Sequence, residues 1–275
     1  MLKSSKASSR RRLWWWIVGA VAAIVVVMGL AYLKFMHPLF SFDSNQVPAI
    51  TANPVQADKI FAVSLFRSGA GHDYSYSAWD GESCRSMKHY FNFGQNTVNN
   101  LPVRSQPGPG ETNINIYAPF DGKITANTSE QTPIGTQVHI ASAKNSAYFV
   151  KLFHIDLLPG LKVGSSVTSG QLVGTIGPKD GTDVSYEANY QFGKVIYLSI
   201  FDYMTPTAFA PYAQLGFKPS DFVLSRAAAD AKGYKCNGEQ FVNGDQGLGT
   251  GGSPAGYVSL RPNPYASQYQ QPGQH

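Results

Sequence analysis

The chain has 275 residues, 43% of them hydrophobic and 13% aromatic, with 27 glycines, 17 prolines and a formal net charge of +5. Six of the 22 basic residues (Lys3, Lys6, Arg10, Arg11, Arg12 and Lys34) precede the first acidic residue, so the rest of the chain is slightly acidic. That distribution leaves the main body without a basic footprint for nucleic acid, and the length suffices for one large domain or two modest ones.

Residues 1–12 form a basic tip, followed by LWWWIVGAVAAIVVVMGLAYLKF at 13–35. A hydrocarbon core about 30 Å thick needs roughly 20 helical residues, and residues 13–33 carry no charge. The segment is therefore expected to be a transmembrane helix. Trp14, Trp15 and Trp16 suit one interface and Tyr32 the other, and Arg10, Arg11 and Arg12 hold the N-terminus in the cytoplasm. A cleaved signal peptide has a shorter apolar run and a small-x-small site after it, which GLAYLKF does not offer. The expectation is an uncleaved, single-pass anchor in the cell membrane with the main domain extracytoplasmic.

Residues 36–58 are rich in Pro, Asn and Ser and read as a linker. A globular domain is expected at 59–242, opening with the strand KIFAVSLF. It carries an insertion at about 72–113, with one short helix around 81–90. From residue 114 the runs INIYAPF, GKITANT, TQVHIAS, AYFVKLFHI, QLVGTIG and KVIYLSIF are short, β-rich and separated by Gly, Pro and Asn turns. Such spacing predicts a mainly β fold, an antiparallel sandwich or barrel-like sheet. A short helix is expected near 219–231, with Ser220 and Asp221 at its start. Residues 243–275 are dominated by Gly, Pro, Gln and Ser and are expected to be disordered. Cys84 and Cys236 are the only cysteines. Both fall in the exported part, where a single disulfide between them is expected.

Two motifs stand out, each a turn between strands: IYAPFDGKIT at 116–125, and VGSSVTSGQLVGTIG at 163–177, with LFHIDLL before it. In this order they resemble the lysostaphin-type (LytM-like) zinc endopeptidases that cut peptidoglycan cross-bridges. In that family YAPxDGxV is followed by a GxxVxI strand, a YxHL turn and VxxGxxVxxGQxIGxxG. The resemblance spans about residues 116–201 and implies the family's antiparallel β-sandwich. It also implies zinc, held by the His and Asp of an early HxxxD motif and the last His of a late HxH motif. The remaining histidines assist the attacking water, whose pKa the metal lowers toward 7.

Carried over residue by residue, the resemblance is uneven. His154 stands at the YxHL position, a general-base candidate. His72 begins the early motif, but Tyr76 stands where the family has its Asp, and the adjacent Asp73 is the substitute candidate. The late motif is expected on the next long strand after GTIG, at 195–200, where Tyr197 and Ser199 replace both histidines. No histidine lies between 155 and 274. Tyr and Ser are poor zinc ligands at neutral pH, so zinc stays open. A rearranged site could draw on His72, Asp73 or Glu82, and His89.

Other chemistries lack their motifs: there is no GxSxG and no phosphate-cradling GxxxxGK[ST]. Three functions remain. The first is a non-catalytic LytM-like domain that binds peptidoglycan or a cell-envelope protein. The second is an active cell-wall metallopeptidase with a non-standard site. The third is a biotinyl/lipoyl-like adaptor of a membrane-fusion protein, which requires a long helical hairpin between Asp121 and Gly164.

Overall fold

The computed structural model describes residues 6–36, 44–93, 97–98, 101–102, 114–130, 135–176, 181–190, 193–245 and 256–261. It divides into two units, Met1–Phe42 and Asp43–His275.

The first unit holds helix α1 (Lys6–Met36). Its stretch Trp14–Tyr32 has a mean hydropathy of 2.2 and is long and apolar enough to cross a membrane. Trp15, Ile24 and Leu30 are exposed on it, and apolar side chains on every face are what a helix surrounded by lipid requires.

The second unit is mainly antiparallel β, as the turn spacing predicts. In chain order its strands are β1 (Ala62–Ser64), β2 (His89–Asn92), β3 (Thr97–Val98), β4 (Leu101–Pro102), β5 (Ile114–Tyr117), β6 (Gly122–Ser129), β7 (Thr136–Ser142), β8 (Tyr148–Leu157), β9 (Ser166–Val167), β10 (Leu172–Ile176), β11 (Thr182–Asn189), β12 (Val195–Leu198), β13 (Cys236–Asn237), β14 (Gln240–Phe241) and β15 (Tyr257–Ser259). The main sheet runs β15-β1-β2-β11-β8-β7-β6-β9. β12 pairs with the second half of β11, and β10 joins β5 to the far end of β8.

The two sequence motifs build the turns expected of them. Gly164 and Gly170 take φ of 96° and 75°, the left-handed region that glycine enters without steric cost. The Asp121 side chain accepts from the Ser169 backbone N–H at 2.8 Å and so ties the first motif to the second. Gly122 is required for another reason. It lies inside β6, where a Cβ would run into the backbone of Ala141 on β7. Close approach, not positive φ, requires glycine there.

β8 is the hub. Val150 and Leu152 lie in the core between β7 and β11, and Ile155 packs in the same core beyond a bulge. Between the pairs Leu152↔Val138 and Ile155↔Thr136, β8 has one residue more than β7. His154 sits in that bulge with φ 61°. A non-glycine residue held there costs roughly 1–2 kcal/mol, a strain typical of functional positions.

β11 is buried along nearly its whole length, and from Asp183 onward its polar and apolar residues alternate. Val184, Tyr186 and Ala188 enter the main core with Ile116, Ile124, Val138, Phe201 and Phe222. Asp183, Ser185 and Glu187 therefore point to the opposite face. That face is covered by a second apolar cluster of Phe66, Tyr74, Ala78, Met87, Phe153 and Tyr197, drawn largely from the loop between β1 and β2.

Two helices follow the last long strand. α2 (Pro206–Ala213) starts with Pro at its first position, and the Thr205 hydroxyl accepts from the Ala208 N–H. α3 (Arg226–Lys232) is capped by Ser225 and ended by Gly233 at φ 61°.

Several expectations are corrected. Residues 81–88 form an irregular loop, not a helix: the Glu82 and Arg85 backbone N–H groups donate to the side chains of Asp80 and Asp73, and the Glu82 carboxylate is held by Arg67 and Arg85. The expected helix at 219–231 is a short 3₁₀ turn, Pro219–Phe222, followed by α3. The linker 36–58 is not free of the domain: Val47, Ile50 and Val55 are in its core. Within the expected disordered tail, Asp245 accepts from the Gly69 N–H and the Tyr234 hydroxyl, and β15 pairs with β1. Between Asp121 and Gly164 the described residues form β6, β7 and β8, so the helical hairpin of an adaptor protein is replaced by strands. Residues 246–255 and 262–275, most of the segment 94–113, His37 and His275 lie outside the described residues.

Candidate functional site

The loop between β1 and β2 brings His72 and Lys88 over the polar face of β8 and β11. Lys88 is 2% exposed. Its Nζ donates to Asp183 Oδ2 at 2.8 Å and to His72 Nε2 at 3.1 Å. It also lies over three rings, 4.3 Å from the Phe153 centroid, 4.7 Å from Tyr74 and 4.8 Å from Tyr90. Lysine is almost never this buried unless paired. Here a carboxylate, an imidazole and three π-faces supply the pairing.

The hydrogen bonds fix the tautomer of His72. Its Nδ1 is 3.0 Å from the Asp73 backbone oxygen, which only accepts. Nδ1 therefore carries the proton, and Nε2 presents its lone pair to Lys88. Burial and the adjacent Lys88 charge hold the His72 pKa below its ordinary value, which keeps the ring neutral.

His154 is the opposite case. Its Nδ1 is 2.8 Å from Glu130 Oε2 and its Nε2 3.4 Å from Asp183 Oδ2. Burial opposes a charge on this ring, but the hydrogen bonds to Asp183 and Glu130 outweigh it and carry the pKa up to about 9. Both ring nitrogens are donors and the side chain is an imidazolium at neutral pH. Asp183 is likewise penalised by burial, and Lys88 and His154 together lower its pKa to about 2.

Beside this group lies a second one. Lys151 Nζ is 2.9 Å from Glu187 Oε2 and donates to the Tyr74 hydroxyl at 2.9 Å. That hydroxyl donates in turn to Glu187 Oε1, which also accepts from Ser185 Oγ. Burial, then the Glu187 charge, pushes the Tyr74 phenol far above its ordinary range, so it stays protonated.

Of the residues singled out in the sequence, the structure brings His72 and His154 to one cluster, joined through Lys88 and Asp183. The others go elsewhere. The Asp73 carboxylate accepts from the Ser75 N–H at 3.0 Å, the Ser75 hydroxyl at 2.5 Å and the Arg85 N–H at 3.1 Å, shaping its own loop. Tyr76 is exposed, edge-on to Tyr74. Glu82 is clamped by Arg67 at 2.8 Å and Arg85 at 2.6 Å. His89 is buried behind the sheet between the Ser64 carbonyl and Ser199 Oγ, and burial lowers its pKa to about 4. Cys84 and Cys236 form the disulfide, with a Cα–Cα distance of 5.6 Å.

The next long strand after β10 is β11, not residues 195–200. Asp183 and Ser185, two residues apart on β11, face the cluster. Tyr197 pairs with Glu187 from β12 and packs against Tyr74, while Ser199 caps the turn Ile200–Tyr203. The alternation of GTDVSYEAN directly after the glycine-rich turn carries that signal in the sequence. Lys88 has no comparable signal, because its role depends on where a long loop lands.

Zinc does not suit this arrangement. Its lone-pair donors are His72 Nε2 and Asp183, and the Lys88 ammonium already lies between them. Among the described residues no three His, Cys, Asp or Glu side chains gather in a metal-binding arrangement.

No protein-family model matches the sequence and no curated protein matches it. Solved structures similar to the chain include Csd3 of Helicobacter pylori (16% identity, TM-score 0.36, 61% of this chain and 39% of that one). A putative glycyl-glycine endopeptidase LytM of Ruminococcus gnavus is similar at 16% identity and TM-score 0.29, over 40% of this chain and 44% of that one. The catalytic domain of lysostaphin from Staphylococcus simulans follows at 14% identity and TM-score 0.30, over 56% of this chain and 93% of that one. The matches span less than half of the first two proteins. All three TM-scores lie below 0.5, and the chemistry of the chain is read from its own residues.

Proposed function

We propose that this chain is a membrane-anchored, extracytoplasmic LytM-like domain that acts at the cell wall without cleaving it, by binding peptidoglycan or a cell-envelope protein. Helix α1, with Arg10, Arg11 and Arg12 ahead of it, supports the anchor and its orientation. The ordered motifs at 116–125 and 163–177 support the cell-wall setting.

The observation that carries the non-catalytic reading is the state of the cluster. Hydrolysis of a peptide bond needs a polarised carbonyl and a base for the attacking water. His154, the candidate base, keeps its own proton between Glu130 and Asp183. The His72 lone pair is engaged by Lys88 and the Asp183 carboxylate by Lys88 and His154. Among the described residues of the cluster, both histidines and Asp183 Oδ2 are engaged by neighbouring charges rather than held ready for water or metal.

Incubating the purified full-length chain with peptidoglycan sacculi and added zinc tests this reading. Co-sedimentation without release of new free amino groups, or no association with sacculi and no release, agrees with a binding domain for wall or protein. Release of amino groups that stops in the His72→Ala variant contradicts it.

A further inference from the structure

The Lys88 ammonium is surrounded as a bound cation would be. His72 offers a neutral imidazole with its Nε2 lone pair at 3.1 Å and its Nδ1 proton tied to a backbone carbonyl. That is how a metal-ligating histidine is oriented, the far nitrogen fixed by a carbonyl so that the near one stays basic. Asp183 offers an anionic oxygen at 2.8 Å and is itself steadied by His154. Aromatic rings of Phe153, Tyr74 and Tyr90 close the rest of the sphere.

We propose that Lys88 is a built-in cation occupying a divalent-metal position, so that His72 and Asp183 form a latent metal site that opens when the lysine is removed. The chain carries its cation covalently, and no loss of metal empties the site. The claim is independent of what the domain binds.

Shortening Lys88 to alanine removes the ammonium and most of its stem. A zinc ion needs its donors at about 2.0–2.2 Å. His72 and Asp183 then close in by about 1 Å relative to their distances from Nζ, and water completes the shell. Methionine at the same position keeps the volume, removes the charge and blocks the ion.

The test is thermal unfolding and zinc titration of the full-length chain in detergent. Wild type is expected to show no zinc-dependent shift in Tm. Lys88→Ala is expected to melt several degrees lower, to bind one zinc per chain and to recover Tm with zinc. Lys88→Ala with His72→Ala is expected to lose that recovery, and Lys88→Met to melt low with or without zinc. If Lys88→Ala does not fold alone, refolding with and without zinc reads the same point, and recovery only with zinc supports the proposal. A folded Lys88→Ala that ignores zinc, recovery that survives His72→Ala, refolding that fails under both conditions, or Lys88→Met melting with wild type overturns it.

Discussion

His154 is held in a left-handed backbone conformation at φ 61° and between two carboxylates, so its charge state is bound to the fold. Its folded pKa of about 9 lies above the ordinary 6.5. A raised pKa means that its stabilising effect is complete below pH 6.5 and is lost as pH rises through 9. The shift corresponds to about 3–4 kcal/mol before solvent screening, which lowers it, is allowed for. Melting temperature is expected to fall across that window in wild type, and the fall is expected to shrink in His154→Gln. An unchanged profile in the variant would remove the ion pairs with Glu130 and Asp183 from the account. At this scale the sequence was partly readable. His72 and His154 were visible because histidine is scarce here and their motifs are short. Lys88, Asp183 and Glu130 were not singled out, because each acts through partners 16 or more residues away.

The elements follow the sequence more closely than the site does. Turn residues and β-branched runs announce β6, β7, β8 and β10, since glycine at positive φ and alternating burial are local properties. The order of strands around β8 is not local. It depends on β11 entering between β2 and β8. Gly174 tests the junction where β10 joins the end of β8. A Cβ there would stand 2.7 Å from the Asp156 backbone oxygen, which cannot move aside as a side chain could. Gly174→Ala is expected to cost roughly 1–3 kcal/mol in denaturant unfolding. A variant as stable as wild type would mean that β8 and β10 are less tightly joined than described.

For the whole molecule, the disulfide links the loop that carries His72 and Lys88 to the C-terminal region. Cys84 and Cys236 are 152 residues apart. In the chain-entropy model closing a loop of that length contributes about 5 kcal/mol. Cys84→Ser with Cys236→Ser is expected to lower the denaturation midpoint accordingly, and an unchanged midpoint would show that the loop is held without it. The long apolar helix and the β domain were legible from composition, because hydropathy and turn chemistry are summed over many residues. Among the described residues of the tail, Tyr257–Ser259 add a strand to a sheet edge, a pairing that composition does not announce. The central claim, that an ammonium fills the place of a metal, is tested most directly by a zinc-binding isotherm of the wild-type, full-length chain at neutral pH. No saturable uptake is the result expected. Uptake of one zinc per chain, lost in His72→Ala, would contradict it.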